Sequence, residues 1–340
     1  MLVLGIETSC DETGVALYDG TNNKIIFECL FSQADKHSLY GGVVPELAAR
    51  DHVNKFLPLL KKGLSDSGCC LKEIDAIAYT KGPGLRGPLM VGASFAKSLG
   101  FVLNKPVIPV HHMEAHLLMA KYDAPNLIYP FLTLLVSGGH TILAKVDKSG
   151  SYKILGQTID DAVGEAFDKT AKMLGLKYPG GPEIEKRSLQ GKSENYSFPR
   201  PIINSDDYNF SFSGLKTSVL YKINSLKKER ELSEELISNI CLEFQNAVID
   251  CLLHKTKKAL KDFRLNQVVL SGGVAANKEL RRRFSEELGE GCSTIYPDFS
   301  HCTDNGTMIA FAGYEKLNHF KEDNKIFVNP RWSLEEIANG

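Results

Sequence analysis

The sequence predicts an α/β protein of two duplicated domains, and two observations predict it. Near the start an apolar strand, "LVLGI" (2–6), passes through the polar turn "ETSCDETG" (7–14) into a second strand, "VALYDG" (15–20), and a third, "KIIFECLFS" (24–32). Near the middle the same order returns as "FLTLLV" (131–136), the turn "SGGHT" (137–141), "ILAKVDK" (142–148) and "YKILGQTI" (152–159). Strand, tight polar turn, strand, used twice, is the mark of a repeated α/β unit. A chain of 340 residues is long enough for two domains, each with its own core.

The remaining elements follow in order. "PELAARDHVNKFLPLLKKGL" (45–64) and "DDAVGEAFDKTAKMLGL" (160–176) carry apolar residues near helical spacing, one after each strand set. "KGPGLRGPLMVG" (81–92) is glycine-rich without the Lys-Ser/Thr ending of a P-loop, and it predicts the start of a close-packed helix. The later segments alternate: a long helix over 233–260, the strand "QVVLS" (267–271), a helix over "NKELRRRF" (277–284), "STIYP" (293–297) and a final helix. The proline-bearing "YDAPNLIYP" (122–130) predicts a linker. The expected division is a first domain over 1–121, the linker, a second domain over 131–325 with a helical insertion near 178–230, and a tail over 326–340. This is the plan of the actin, Hsp70 and sugar-kinase superfamily, in which hairpin turns hold a nucleotide in a cleft. That step concerns fold alone.

Composition narrows the class. Hydrophobic residues at 43% and charged residues at 24% exclude a disordered or fibrous chain. A net charge of −1 supplies no global attraction to a polyanion, so any nucleic-acid contact falls to local runs such as "LKKER" (226–230) or "RRRF" (281–284). Each run also reads as a solvated helix face. Eight cysteines lack any C-x-x-C pair, and "MLVLGI" lacks the form of a secretory signal. Both point to free thiols in the cytoplasm. The longest uncharged stretch, 125–144, holds two prolines and a Gly pair and makes a poor membrane helix.

Three turns could hold a ligand. "LVSGGH" (135–140) puts Ser137, Gly138 and Gly139 at a strand end, where bare backbone amides can converge on a phosphate; a plain hairpin turn explains it as well. "VVLSGGVAANKEL" (268–280) leads from a strand through a Gly pair to a helix starting near Asn277, which offers helix amides to an anion or a base. "YPGGPEIEK" (178–186) is a third turn, with Pro182 in a first-turn position.

"HHMEAH" (111–116) poses a separate question. His112 and His116 are four apart and share one helix face, a spacing suited to a metal ion. Glu114 lies about 200° around the helix from His112, at about 100° per residue, so the His-Glu-x-x-His pattern of zinc proteases is absent. Asp304, just before a late apolar helix, could either cap that helix or serve as a third ligand. Two His and one carboxylate suit Fe2+ or Zn2+ with open positions. With Asp304 coming from the far end of the chain, such an ion is expected to join the two domains.

Ten segments in order resemble one family along most of the chain. They are "GIETSCDETG", "YGGVVPELAARDH", "GPGLRG", "VHHMEAH", "LLVSGGHT", "GEAFDKTAKMLGL", "YPGGP", "FSFSGLKT", "SGGVAANKELR" and "CTDNGTMIA". The family is the bacterial tRNA threonylcarbamoyladenosine transferases, once called glycoproteases. The resemblance implies the actin-like fold and transfer of a threonylcarbamoyl group from threonylcarbamoyl-AMP, an adenine nucleotide. The acceptor is the exocyclic 6-amino group of the adenosine 3′ of the anticodon, in tRNAs reading codons that begin with A. By motif, His112, His116 and Asp304 match the ligands of one divalent metal. Leu135, Val136, Ser137, Gly138, Gly139, Asp168, Gly181 and Asn277 match substrate-binding positions, as does Glu185, where family members differ. Asp11, in the first turn, is the candidate for accepting the amine's proton. The resemblance further implies a cytoplasmic protein that works with an inactive paralogue of the same fold (TsaB) and a small P-loop ATPase (TsaE), away from membranes. A metalloprotease, a phosphotransferase of the same superfamily and a non-catalytic scaffold are the rival readings.

Overall fold

The computed structural model describes every residue except 41, 149, 194–196, 230, 290, 299–300, 318–325 and 340. The chain forms two units. The first comprises Met1–Asn126, Ser149–Ser151 and Asp298–Gly340, and the second Leu127–Lys148 and Tyr152–Pro297.

In unit 1, β1 (Leu2–Glu7), β2 (Glu12–Asp19) and β3 (Lys24–Ser32) form an antiparallel meander. The short helix α1 (Ala34–Ser38) and the long α2 (Pro45–Ser67) follow. β4 (Ala76–Gly82) joins β1 in parallel, α3 (Arg86–Leu103) crosses back, and β5 (Val107–His111) joins β4 in parallel. The sheet order is β3-β2-β1-β4-β5. α4 (His112–Asp123) starts directly from β5 and takes up the beginning of the expected linker, to Asp123.

Unit 2 repeats this order. β6 (Phe131–Val136), β7 (Thr141–Lys148) and β8 (Ser151–Gln157) come first. α5 (Val163–Met173), α6 (Gly180–Ser188), α7 (Ser213–Glu229) and the 29-residue α8 (Glu234–Asp262) follow. β9 (Gln267–Ser271), α9 (Lys278–Glu287) and β10 (Ser293–Ile295) complete a sheet of order β10-β9-β6-β7-β8. Read outward from the meander, both sheets have one topology, so the duplication predicted from the two strand sets is present. α8 is long and apolar enough to cross a membrane, but 78% of its apolar window is buried, which makes it the core helix of unit 2.

The expected extent of the second domain, to residue 325, needs correction. From Asp298 the chain returns to unit 1, where α10 (Gly306–Lys316) packs on β1, β2 and β4. Helical periodicity showed that this segment covers a sheet and could not show which of two similar sheets it covers. The tail is also no tail: Val328, Leu334 and Ile337 are buried in unit 1.

Glycines let α10 lie against the strands. A Cβ on Gly5 would stand 2.2 Å from the Gly306 carbonyl oxygen and 2.4 Å from the Ala310 nitrogen. Both obstacles are backbone, so nothing can swing aside. Gly5→Ala therefore lifts α10 and lowers stability by about 1–3 kcal/mol or more, measured by urea unfolding. A Gly5→Ala protein with the parental midpoint would refute this packing.

Candidate functional site

α4 begins where β5 ends, and His111 caps it: its Nδ1 accepts from the Met113 amide at 3.2 Å and the Glu114 amide at 3.4 Å. The next residue, His112, and His116 one turn on then project from one helix face, their rings 4.8 Å apart and edge to face. The Nε2 atoms of both point at one oxygen, Oδ1 of Asp304, at 3.5 and 3.0 Å. Asp304 does not cap α10. Asn305 does, its side chain accepting from the Met308 amide at 2.8 Å, so the Asp304 carboxylate can face the imidazoles. Among the described residues this is the one group of three that could hold a metal, its ligand atoms within 4.8 Å of one another. Ligands bound about 2.0–2.2 Å from one ion stand about 3–3.5 Å apart, the spacing seen here between each imidazole and Asp304. The whole triad belongs to unit 1. The expectation that the ion joins the two domains fails with the corrected domain boundary.

Behind the triad lies a residue that the motifs did not point to. Glu7, at the buried end of β1, sits 3.1 Å from His112 Nδ1 and accepts from the Thr80 hydroxyl at 2.6 Å and the Ser9 amide at 2.5 Å. A carboxylate on the far nitrogen of a ligating imidazole fixes its tautomer and raises its basicity. Burial opposes the charge on both partners, yet the neighbouring charges outweigh it: His112 holds Glu7 below the usual carboxyl range, and Asp304, followed by Glu7, raises His112 to about 9. An incoming cation displaces that proton. The clue in the sequence was an acid closing an otherwise apolar strand.

Asp11 lies in the turn between β1 and β2. His52 of α2, fully buried, holds this turn with Nδ1 2.8 Å from the Thr13 hydroxyl and Nε2 donating to the Cys10 carbonyl at 3.0 Å. The Gln33 amide donates to the Asp11 carbonyl at 3.0 Å. Next to Asp11, burial and the charges of Asp304 and Asp11 push Glu12 up to about 9. That Asp11 and Asp304 both act on Glu12 marks a local accumulation of carboxyl groups, which suits a cation.

Unit 2 gathers the other predicted residues. The β6–β7 turn carries Ser137, Gly138 and Gly139, and the β9–α9 turn lies beside it. Gly272 (φ 89°) begins that turn, and a Cβ there would stand 2.5 Å from the Val136 carbonyl oxygen. The Ser137 carbonyl accepts from the Gly164 amide at the start of α5, 3.2 Å away. Asp168 accepts from the Gly180 amide of α6 at 2.7 Å, and Glu185 from the Lys278 amide of α9 at 2.6 Å. Asn277 caps α9 through the Leu280 amide at 2.9 Å and donates to Gln245 at 2.8 Å. These three polar side chains thus hold the N-termini of α6 and α9 in place. Around them Gly138, Gly139, Gly181 and Gly273 face open space, with nothing within 4 Å of where a Cβ would stand. Leu135 and Val136 are buried in β6, so only their backbone can meet a ligand.

Two arginines of the run "RRRF" are paired with carboxylates, while Arg281 donates to the Ala275 carbonyl and lies over the Tyr296 ring. Arg282 pairs with Glu279 and Glu286, and Arg283 with Asp250 and Glu287. In the other run Lys227 and Lys228 are exposed at the end of α7, and Arg230 lies outside the described residues.

The family profile described as "TsaD: tRNA N6-adenosine threonylcarbamoyltransferase" matches residues 24–311. A protein named tRNA N6-adenosine threonylcarbamoyltransferase from Nitrosomonas eutropha is 50% identical over 343 residues, covering 99% of this chain and 100% of that protein. One of the same name from Methylobacillus flagellatus is 51% identical over 339 residues and 99% of each chain. Among solved structures, full-length HypF aligns with TM-score 0.60 and 16% identity over 93% of this chain and 55% of its own. Component A of the Acidaminococcus fermentans (R)-2-hydroxyglutaryl-CoA dehydratase aligns with TM-score 0.56 and 14% identity, over 94% and 99%. At that identity the structures speak for the actin-like fold alone.

Two carboxylates of unit 1 separate metal support from fold support. Glu7→Gln weakens Zn2+ binding by about 10–100-fold with the triad intact. Glu114, fully buried, meets Lys316 at 2.5 Å on the other side of α4, as its helical phase predicted. Glu114→Ala leaves the metal affinity unchanged and lowers stability by about 3 kcal/mol, because Lys316 loses its partner. Metal titration and urea unfolding of both variants check this pair, and the reverse pattern would exchange the two roles.

Proposed function

The chain belongs to the tRNA N6-adenosine threonylcarbamoyltransferase family, and from that premise we propose how its residues transfer the threonylcarbamoyl group to the 6-amino group of an adenosine in tRNA. The donor is threonylcarbamoyl-AMP and the acceptor is the adenosine 3′ of the anticodon. The amine nitrogen attacks the carbamoyl carbon, the bond from that carbon to the phosphate oxygen breaks, and AMP leaves with the electron pair. Because the donor carries a good leaving group, the protein needs orientation and charge and no nucleophile of its own.

Unit 2 supplies the adenylate surface in this reading. Amides of Gly138 and Gly139 face the acyl-phosphate beside Ser137, whose own amide closes the turn on the His140 carbonyl at 2.8 Å. Gly181 and Asn277 lie at the adenosine, and Asp168 and Glu185 keep the helix N-termini aimed. The open space at Gly138, Gly139, Gly181 and Gly273 supports the assignment. In unit 1, His112, His116 and Asp304 would hold a divalent ion, Fe2+ or Zn2+, whose chemistry is that of a Lewis acid for the carbamoyl or phosphate oxygen. Asp11, in the turn that His52 steadies, accepts the proton the amine loses. The observation that carries this reading is the convergence of both imidazole Nε2 atoms on Asp304 with Glu7 behind. A protease would need Glu114 beside the ion, and that carboxylate is committed to Lys316. The partners we propose are tRNA, an inactive paralogue of the same fold (TsaB) and a small P-loop ATPase (TsaE), all in the cytoplasm.

The test is a reconstituted transfer assay with tRNA, the adenylate and the two partners. His112→Ala, His116→Ala and Asp304→Ala should each lose most bound metal and nearly all transfer while keeping the circular dichroism of the parent. Metal-dependent casein cleavage, or full transfer by metal-free His112→Ala, would overturn the assignment.

Gly181→Trp tests the adenylate surface separately, because its side chain enters empty space and costs the fold little. It should abolish binding of a non-hydrolysable adenylate analogue by calorimetry and leave metal content untouched. Parental affinity in this variant would place the adenylate elsewhere.

A further inference from the structure

The C-terminal segment of unit 1 makes a specific set of contacts that the transfer chemistry does not use. Val328, Leu334 and Ile337 anchor it in the unit, and the Asn329 amide donates to the Lys81 carbonyl at 2.8 Å. Between these anchors lies Trp332, the one tryptophan of the chain. Its carbonyl accepts from His111 Nε2 at 3.0 Å, and its indole stands 4.8 Å from the His111 ring. Its ring also lies 5.9 Å from the Lys316 ammonium, which in turn pairs with Glu114 of α4.

The tautomer of His111 follows from these partners. A carbonyl can only accept, so the ring hydrogen sits on Nε2, and Nδ1 keeps the lone pair that caps α4. The Trp332 carbonyl and indole also fix the orientation of the His111 ring. Without them the ring is free to turn Nδ1 away from the two amides, and the cap would be lost. A lost cap loosens the first turn of a helix. The first residue of that turn is His112.

We propose that the C-terminal segment is a positioning element for the metal-binding helix, with the Trp332–His111 contact as the joint through which it sets His112 and His116. The proposal rests on reading those residues and Asp304 as metal ligands. It makes Trp332 a reporter of metal occupancy and His111 a determinant of metal affinity, although neither touches the ion.

The experiment uses the full-length metal-free chain and Zn2+, a d10 ion without redox chemistry. Trp332 emission should change on titration, with the same midpoint as Zn2+ uptake measured by chelator competition. His111→Ala should weaken Zn2+ binding about tenfold or more, the scale of a lost supporting contact. His111→Asn, whose side chain can still cap but no longer reaches the Trp332 carbonyl or stacks on its indole, should weaken Zn2+ binding more than about threefold. Parental affinity there would reduce His111 to a plain cap and overturn the joint. Leu60→Ala, a core change elsewhere in unit 1, should lower stability and leave Zn2+ affinity unmoved, which separates positioning from general destabilisation. A flat Trp332 emission across the saturating range, or parental affinity in His111→Ala, overturns the proposal. Should His111→Ala fail to fold, the emission titration of the parent decides alone. His112→Ala separates the two levels: unchanged Zn2+ binding there removes the metal reading itself. Lost binding in His112→Ala beside parental binding in His111→Ala removes the positioning role only.

Discussion

The seating of α10 on β1 and β2 is the contact on which the candidate metal triad depends. His116 and Asp304 are 188 residues apart in the chain and 3.0 Å apart in space. That proximity exists because the start of α10 touches the strand backbone directly, Gly306 against Gly5, with no side chain between. A single methyl there displaces the helix by more than a metal–ligand bond tolerates. The apolar residues of α10, Met308 to Ala312, bury the rest of its inner face and hold it down. Packing thus fixes the third ligand, and the cap residue Asn305 relieves Asp304 of a structural duty that would have turned its carboxylate toward the helix.

The two predicted sites use hydrogen bonds in different ways. In unit 1 the bonds run outward from the ligands: Glu7 steadies His112, Thr80 and Ser9 steady Glu7, and His52 steadies the neighbouring turn. Each layer is buried, so each unpaired atom would carry a desolvation cost, and the layers hold one another in register. In unit 2 the polar side chains hold helix ends, and the ligand-facing surface is backbone and glycine. Such a surface presents amides at helix N-termini, where positive partial charge collects, without mobile side chains to order on binding.

Much of this was legible in the sequence, for local reasons. Alternating strands, polar Gly turns and helical periodicity are short-range signals, and they gave both meanders and most helices. The pair His112 and His116 follows from four-residue spacing alone. The opposed direction of Glu114 follows from the same arithmetic. Contacts across long sequence distance were not legible: Glu7 with His112, His52 with the Cys10 carbonyl, His111 with Trp332. The return of residues 298–340 to unit 1 was hidden because two sheets of one topology offer an apolar helix equivalent berths. The ion pairs of Arg282 and Arg283 within their helix were legible too. Glu279, Glu286 and Glu287 stand three and four residues from the arginines they pair with, the spacing at which helical ion pairs form.

A fold selected for stability alone would not bring Asp304, Glu7 and Glu12 to bear on one buried imidazole, that of His112. Like charges in a partly buried site oppose one another, and here Glu12 is driven to about 9 while His112 takes up a proton. The resting charge of the site is therefore a compromise made with protons. A divalent ion held by the triad would offer a better one, since Asp304 and both Nε2 atoms converge and a protonated Glu12 and His112 would no longer be needed. Binding energy gained this way would stabilise the native state in proportion to the logarithm of metal concentration over Kd, and would link metal supply to the stability of unit 1. The same linkage explains the depth of support behind the ligands. An ion that only closed a structural site could be gripped by four side chains, whereas one that must leave coordination positions open needs its three ligands held by the surrounding shell.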